Sequence, residues 1–253
     1  MDITSINPDN NSNFKLVINI LQFGKIEVIG QPLIGSNDTL FVKTTFGQES
    51  LHAIYKPEKG EQPLWDFPLN SLSKREISAF IISHLLGWNF VPPTIYKTSN
   101  APFGNGSLQL FIPHNPRITF FNLLNRDIRT IQKIVIFDTI INNADRKGGH
   151  IIQDEKGKIW LIDHGLCFHP DYKLRTVIWD FADQKIPDEI RDEIQRFLII
   201  IKDEKFLLVK KLKNFLSSVE FFMVIKRTED ILSAGTFPSI GNRESRPYPW
   251  PLI

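Results

Sequence analysis

The chain has one cysteine, Cys167, so neither an internal disulfide framework nor a cysteine-rich zinc site can form within its 253 residues. That fits a reducing compartment. Long apolar runs are missing too: none approaches the roughly 18 residues that a membrane span needs. The opening MDITSINPDNNSN lacks the basic-then-apolar order of a secretory signal. No transmembrane segment is expected, and the cytoplasm is the expected address. Charge of one sign is scarce: the formal net charge of +2 is too small to make nucleic acid or an anionic membrane the principal partner. Any phosphate chemistry must then be local. G-x-x-x-x-G-K-[ST] occurs nowhere, which removes support for a Walker-type nucleotide site. There is no internal repeat or low-complexity segment.

What is present suits a globular protein of one large or two small domains, with 42 % hydrophobic and 23 % charged residues. Residues 13–24, NFKLVINILQFG, predict a short helix with Ser12 or Asn13 as N-cap and Gly24 as stop. The period then changes to that of strands: GKIEVIG, DTLFVKTTF and SLHAIYKP, rich in β-branched and aromatic residues, read as an antiparallel meander. A loop over 57–70 leads to SLSKREISAFIISHLLGW, whose Ile77, Phe80, Ile81 and Leu85 fall at helical spacing, with Ser71 or Ser73 as cap and Gly87 as stop. PPTIYKT and GSLQLFIP are strands around the turn APFGNG. From Ile128 the pattern is helical, followed by a hairpin over 150–163 and an extended segment to about Pro187. The last third has helical periodicity, and the tail SRPYPWPLI reads as a proline-broken strap. Strands around one helix, then helices around one hairpin, predict an α+β fold of two lobes, 1–113 and 114–253.

The chemistry concentrates between 141 and 167. The helix from Ile128 delivers Asp145 into a loop that Gly148 and Gly149 allow to fold tightly. Two strands of about equal length, 150–153 and 159–162, then bring His150 and Asp163 to the same end of a ladder. A divalent metal between them would lie within reach of Asp145, and partly open oxygen-rich sites of this kind hold Mg²⁺ or Mn²⁺ jointly with nucleotide phosphates.

ADRKGGH followed by IDHG resembles the catalytic loop and metal-binding Asp-Phe-Gly of the protein-kinase-like superfamily, and most of all the phosphatidylinositol 3-/4-kinases and HipA-type bacterial kinases. YKPEKGEQPLWDFP, NNADRKGGH and KLRTVIWDF together resemble an uncharacterised bacterial family distantly related to those lipid kinases, and the likeness covers nearly the whole chain. It implies ATP and Mg²⁺ or Mn²⁺ as cofactors. It also implies roles: Asp145 orienting or deprotonating the acceptor hydroxyl, Lys147 facing the transferring phosphoryl group, and His150 and Asp163 holding metal. Lys56, at the end of a strand, would touch the phosphates with Glu76 holding it, although Glu58 and Glu61 compete as partners. Residues 34–40, IGSNDTL, would cover the phosphates through backbone N–H groups and the side chains of Ser36, Asn37 and Thr39. Gln109 to Phe111 would meet the adenine edge.

Two positions depart from the family pattern: His150 stands where the superfamily has asparagine, and Lys147 where the lipid kinases have histidine. Imidazole suits Mg²⁺ less well than a borderline metal and titrates near pH 6.5 when unperturbed, so metal occupancy is expected to fall through that region. His164 and His169 read as structural or loop-solvated, Cys167 as a packed hydrophobe close enough to Asp163 for alkylation to block activity, and Lys173 and Arg175 as contacts for an anionic substrate. The implied function is an ATP-dependent phosphotransferase acting on an unidentified hydroxyl in a protein, small metabolite or lipid headgroup. A nucleotide-binding pseudokinase and an AMP transferase on the same fold are the alternatives.

Overall fold

The structure, a computed structural model, describes residues 11–30, 39–98, 100–123, 127–240 and 246–253. Its first helix, α1 (Asn11–Phe23), starts before the expected caps, so Ser12 and Asn13 lie within its first turn instead of capping it, and it buries Val17, Ile20 and Leu21, one stripe at helical spacing. Gly24 ends it as expected, for a packing reason: a Cβ there would lie 2.3 Å from both the Ile20 carbonyl and Thr44 Oγ1. The strands β1 (Lys25–Gly30), β2 (Leu40–Phe46) and β3 (Glu49–Pro57) form the expected meander. With β4 (Thr94–Lys97) and β5 (Gly106–Leu110) they complete one sheet in the order β1-β2-β3-β5-β4. Period-two alternation sorts β3 cleanly. Leu51, Ala53 and Tyr55 are buried with α1, whereas His52, Ile54 and Lys56 point to the other face.

α2 (Leu72–Leu85) follows the 57–70 segment and is buried nearly all round, Arg75 and Glu76 included. Ser71 is its N-cap position, but the hydroxyl donates to the Pro68 carbonyl instead of capping. Glu61 does the capping from upstream, its carboxylate accepting the N–H groups of Leu72 (3.3 Å) and Ser73 (3.0 Å). A carboxylate satisfies those orphan donors and suits the positive end of the helix dipole.

The second half holds α3 (Ile128–Ile141), the hairpin β6 (Ile151–Gln153) and β7 (Ile159–Leu161), and the helices α4 (Asp188–Lys202), α5 (Leu207–Phe215) and α6 (Ser218–Ala234). Two apolar cores result, and each borrows across the expected lobe boundary. Ile77, Ile81, Ile82 and Leu85 of α2 belong to the helical core, while Ile152 and Trp160 of the hairpin belong to the sheet core. The proline-broken tail does run as a strap: the Leu252 carbonyl accepts the Gly148 N–H at 2.7 Å, and the Pro247 carbonyl accepts the Thr176 N–H at 3.1 Å.

One buried cation closes α1. Lys97 is 0 % exposed, and its ammonium donates to the carbonyls of Leu21, Gln22 and Gly24 at 2.8–2.9 Å, meeting the helix's negative end. Lys97→Met leaves three buried carbonyls without a donor and should cost on the order of 3 kcal/mol. Urea unfolding checks this, and an unchanged midpoint would contradict the capping role.

Candidate functional site

Two asparagines shape the loop that presents Asp145. Asn142, left-handed at φ 52, ends α3, and its side chain binds the carbonyls of His169 and Asp171 and the N–H of Lys173. Asn143 accepts the Asp145 N–H at 2.9 Å and donates to Asp138 at 3.1 Å. Asp145 thereby faces the cleft with Lys147 Nζ 3.1 Å from its carboxylate. The register Ile151↔Leu161 returns the chain so that the Ile162 N–H bonds the His150 carbonyl at 3.0 Å. His150 and Asp163 do sit at one end of the ladder, with His150 Nε2 3.3 Å from Asp163 Oδ2. Asp163 adopts φ 60, an uncommon conformation for a side-chain-bearing residue that aspartate tolerates better than most.

From the sheet, Lys56 Nζ donates to Glu76 Oε1 at 2.5 Å and to Asp163 Oδ1 at 3.0 Å. One ammonium thus joins β3, α2 and the end of the hairpin. Glu58 and Glu61 do not compete for it: Glu58 accepts from Ser73 and Tyr96 hydroxyls, and Glu61 caps α2. A cavity of about 160 Å³ opens beside this group, with Lys56, Glu76, Asp145, Lys147 and Asp163 all in its wall.

Electrostatics separates the two aspartates. The Lys56 ammonium holds the Asp163 carboxyl far below the usual carboxylate range, with His150 adding to the effect. Burial instead pushes Asp145 up against the pull of Lys147, the direction a proton acceptor needs. Burial opposes the charge on Lys56, yet Asp163 and Glu76 together raise its pKa. For His150 burial dominates and lowers the imidazole to about 4, which corrects the expected titration near pH 6.5.

Among the described residues no group of three or more His, Cys, Asp or Glu side chains could hold a metal ion alone. His150 and Asp163 make a pair, the protein's share in a site completed by nucleotide and water. Asp163 suits that share, being a carboxylate that stays ionised. His150 suits it less: Nδ1 is buried with no hydrogen-bond partner among the described residues, and an imidazole ligand is ordinarily oriented through its second nitrogen.

Beneath the cleft lies a network that sequence reasoning missed. Arg146 and Asp138 are both 0 % exposed and paired at 2.9 Å. Arg146 also donates to the carbonyls of His150 (3.3 Å) and Ile162 (3.0 Å) and meets His164 Nε2 at 2.8 Å. The His164 N–H in turn donates to Glu76 Oε2 at 3.0 Å. Asp138 gave no signal because it sits among apolar residues of α3, eight positions before its partner. Of the two expectations for His164, structural or loop-solvated, the first holds: it is fully buried in this network.

Other expected residues fall out differently. Ser36 and Asn37, with most of the 34–40 segment, lie outside the described residues, and Thr39 is half-buried just before β2. Gln109 pairs with Ile54 in the register, on the sheet face of Lys56, but its amide already donates to Thr94 Oγ1 at 2.9 Å. Phe111 meets Phe41 edge-on at 5.0 Å, and neither Gln109 nor Phe111 lines the cavity. Lys173 is engaged with Asp66 at 2.7 Å and lies 5.1 Å from the Trp65 ring, so it is not free to meet an anion as expected. Cys167 is 0 % exposed and burial drives its thiol pKa up, which contradicts ready alkylation.

The strand order, the helix carboxylate on the strand lysine and the Asp-x-Gly at the hairpin's end define a protein-kinase-like fold. The chain is similar in fold to hydra Fam20 (TM-score 0.57, 16 % identity, 89 % of each chain). It is also similar to the Golgi casein kinase with Mn/ADP bound (TM-score 0.53, 15 % identity, 96 % of this chain and 81 % of that one). Residues 38–220 match the phosphatidylinositol 3- and 4-kinase family, and the chain belongs to it. It is 34 % identical to Protein Rv2133c of Mycobacterium tuberculosis across 92 % of this chain and 94 % of that protein. It is 32 % identical to phosphatidylinositol 4-kinase gamma 4 of Arabidopsis thaliana, but over 44 % of this chain and 24 % of the plant protein, so it spans about a quarter of that relative's length.

The lowered imidazole makes a pH prediction with a definite sign. Between about pH 6.5 and about 4 the unfolded chain protonates His150 and the folded chain does not, so stability falls as the pH drops. His164, lowered by burial, adds in the same sense, and Asp145, raised by burial, opposes it at the low end. Urea unfolding at stepped pH should show a shallower loss across this window for His150→Asn. Parallel curves would mean that the imidazole is solvated rather than largely buried.

Proposed function

We propose that the chain is an ATP- and divalent-metal-dependent phosphotransferase acting on a hydroxyl acceptor. The observation that carries the reading is the double engagement of Lys56 with Glu76 and Asp163, beside a cavity that Asp145 and Lys147 share. Glu76 orients the Lys56 ammonium, which would hold nucleotide phosphates from the sheet side. Asp145, with its raised basicity, would orient the acceptor hydroxyl or take its proton as the new O–P bond forms and the bond to the leaving phosphate breaks. Lys147, within 3.1 Å of Asp145, is placed to offset charge on the phosphoryl group in transit. Asp163, with His150 beside it, would hold Mg²⁺ or Mn²⁺, which offsets phosphate charge when bound. The Golgi casein kinase structure with Mn/ADP supports that pairing of nucleotide and metal.

The reading includes lobes of 1–113 and 114–253 with the cleft between them, supported by all five strands of the larger sheet preceding Pro113. No helix among the described residues is long and apolar enough to cross a membrane. The cytoplasm is the place of action that suits a single, buried thiol. Ser36, Asn37 and Thr39 would cover the phosphates, and Gln109 and Phe111 would flank the base. A nucleotide-binding regulator without turnover is the second reading, favoured by the Nδ1 of His150, which has no hydrogen-bond partner among the described residues.

Incubation with γ- and α-labelled ATP in a cell extract separates these. Label from the γ-position on a product is expected; α-label there would mean AMP transfer, and binding without either would mean a regulator. Asp145→Asn should bind nucleotide within about twofold of wild type while turnover falls at least ~10²-fold, the mark of a contact made chiefly in the transition state. Collapse of nucleotide affinity instead would make Asp145 a metal ligand.

A further inference from the structure

We infer that residues 247–253 are a positioning strap for the loop that carries Asp145 and Lys147: two strap carbonyls, those of Leu252 and Pro247, fix the direction in which these side chains face the cleft. The Leu252 carbonyl accepts the Gly148 N–H at 2.7 Å. That N–H belongs to the planar peptide joining Lys147 to Gly148, so holding it holds the ψ of Lys147, 162°. The ammonium of the same residue stands 3.1 Å from the Asp145 carboxylate. Contact is close on this side. A Cβ on Gly148 would lie 2.6 Å from Phe121 Cε2 and 3.4 Å from the Leu252 oxygen, so ring and strap both close on bare main chain.

The second anchor acts through one intermediate segment. The Arg146 N–H donates to the Arg175 carbonyl at 3.0 Å, and the Arg146 carbonyl accepts the Val177 N–H at 3.2 Å. Between them the Thr176 N–H donates to the Pro247 carbonyl at 3.1 Å, where the Trp179 indole N–H also arrives at 3.2 Å. Residues 175–177 are thus held between loop and strap, and the peptide joining Asp145 to Arg146 is fixed from that side. The nucleotide clamp is bonded separately, Lys56 to Glu76 and Asp163. Loss of the strap should then disturb the acceptor side of the cleft and spare the nucleotide side. The Leu252 and Ile253 side chains are 40 % and 65 % exposed, so the hold is mainly through the main chain.

The strap's effect on turnover rests on the phosphotransferase reading, whereas its hold on the loop does not, so the test reads both. Wild type is compared with a chain ended at Trp250, which lacks the Leu252 carbonyl, and with Leu252→Ala/Ile253→Ala, which keeps it, each first shown to unfold cooperatively. In the shortened chain the Gly148 amide, followed by NMR, should exchange with solvent about tenfold faster or more. Its affinity for ATP with Mn²⁺, by calorimetry, should stay within about twofold while transfer of γ-label in a cell extract falls about tenfold or more. The double alanine variant should keep both exchange and transfer within about threefold of wild type, because the main-chain acceptor remains. Unchanged Gly148 exchange or unchanged transfer in the shortened chain, nucleotide affinity falling as far as transfer, or equal losses in the alanine variant would each overturn the inference. Absence of transfer by wild type that binds ATP would overturn the phosphotransferase reading, and with it the strap's role in turnover. Should the shortened chain fail to fold, Pro249→Gly, which loosens the strap between its two anchors, takes its place with the same expected directions.

Discussion

A single ammonium, Lys56, has to satisfy two carboxylates that come from opposite sides of a cleft. Glu76 is 20 residues away in sequence and Asp163 is 107. Burial opposes the lysine's charge, and the two carboxylates more than offset this, while the ammonium in turn keeps Asp163 ionised. Removing one partner from a fully buried pair costs about 3–5 kcal/mol; the half-exposed Asp163 side chain lowers the figure here through solvent screening. The fold has to bring β3, α2 and the end of β7 together for this contact to exist.

The packing meets that demand by interlocking the two cores. α2 is contributed by the sheet-bearing half of the sequence but buried in the helical core, and the β6–β7 hairpin straddles the two, with Ile151 and Leu161 in the helical core and Ile152 and Trp160 in the sheet core. Both carboxylate-bearing elements therefore pack across the boundary between the halves. Below them, Arg146 ties α3, the hairpin and His164 into one buried unit. Above, the loop at 61–67 is held by Glu61 on the α2 terminus and by Asp66 on Lys173. Such a cleft has its charges placed before any ligand arrives, the arrangement that electrostatic stabilisation requires.

Much of this could be read from the sequence, and the part that could not shares a physical reason. The strand period of SLHAIYKP placed Lys56 at a strand end, and equal strand lengths placed His150 beside Asp163. Both are local periodicities. The capping of α2 by Glu61, the capping of α1 by Lys97 and the pairing of Arg146 with Asp138 join groups that no short-range pattern connects. Burial was equally opaque: the His150 imidazole looked like an ordinary titrating group until its surroundings showed that burial disfavours its charge. Lys173 read as a free cation because its partner Asp66 lies 107 residues upstream.

The central claim is that phosphate charge is met from both sides of one cleft, by Lys56 from the sheet and by Asp163 with a divalent ion from the hairpin. Isothermal calorimetry of ATP with Mn²⁺, on wild type, Lys56→Met and Asp163→Ala, tests it most directly. The account predicts measurable binding by wild type and a loss on the order of tenfold or more in each variant, with Asp163→Ala also losing the dependence on metal. Equal affinity in all three proteins, or no binding by any of them, would contradict it.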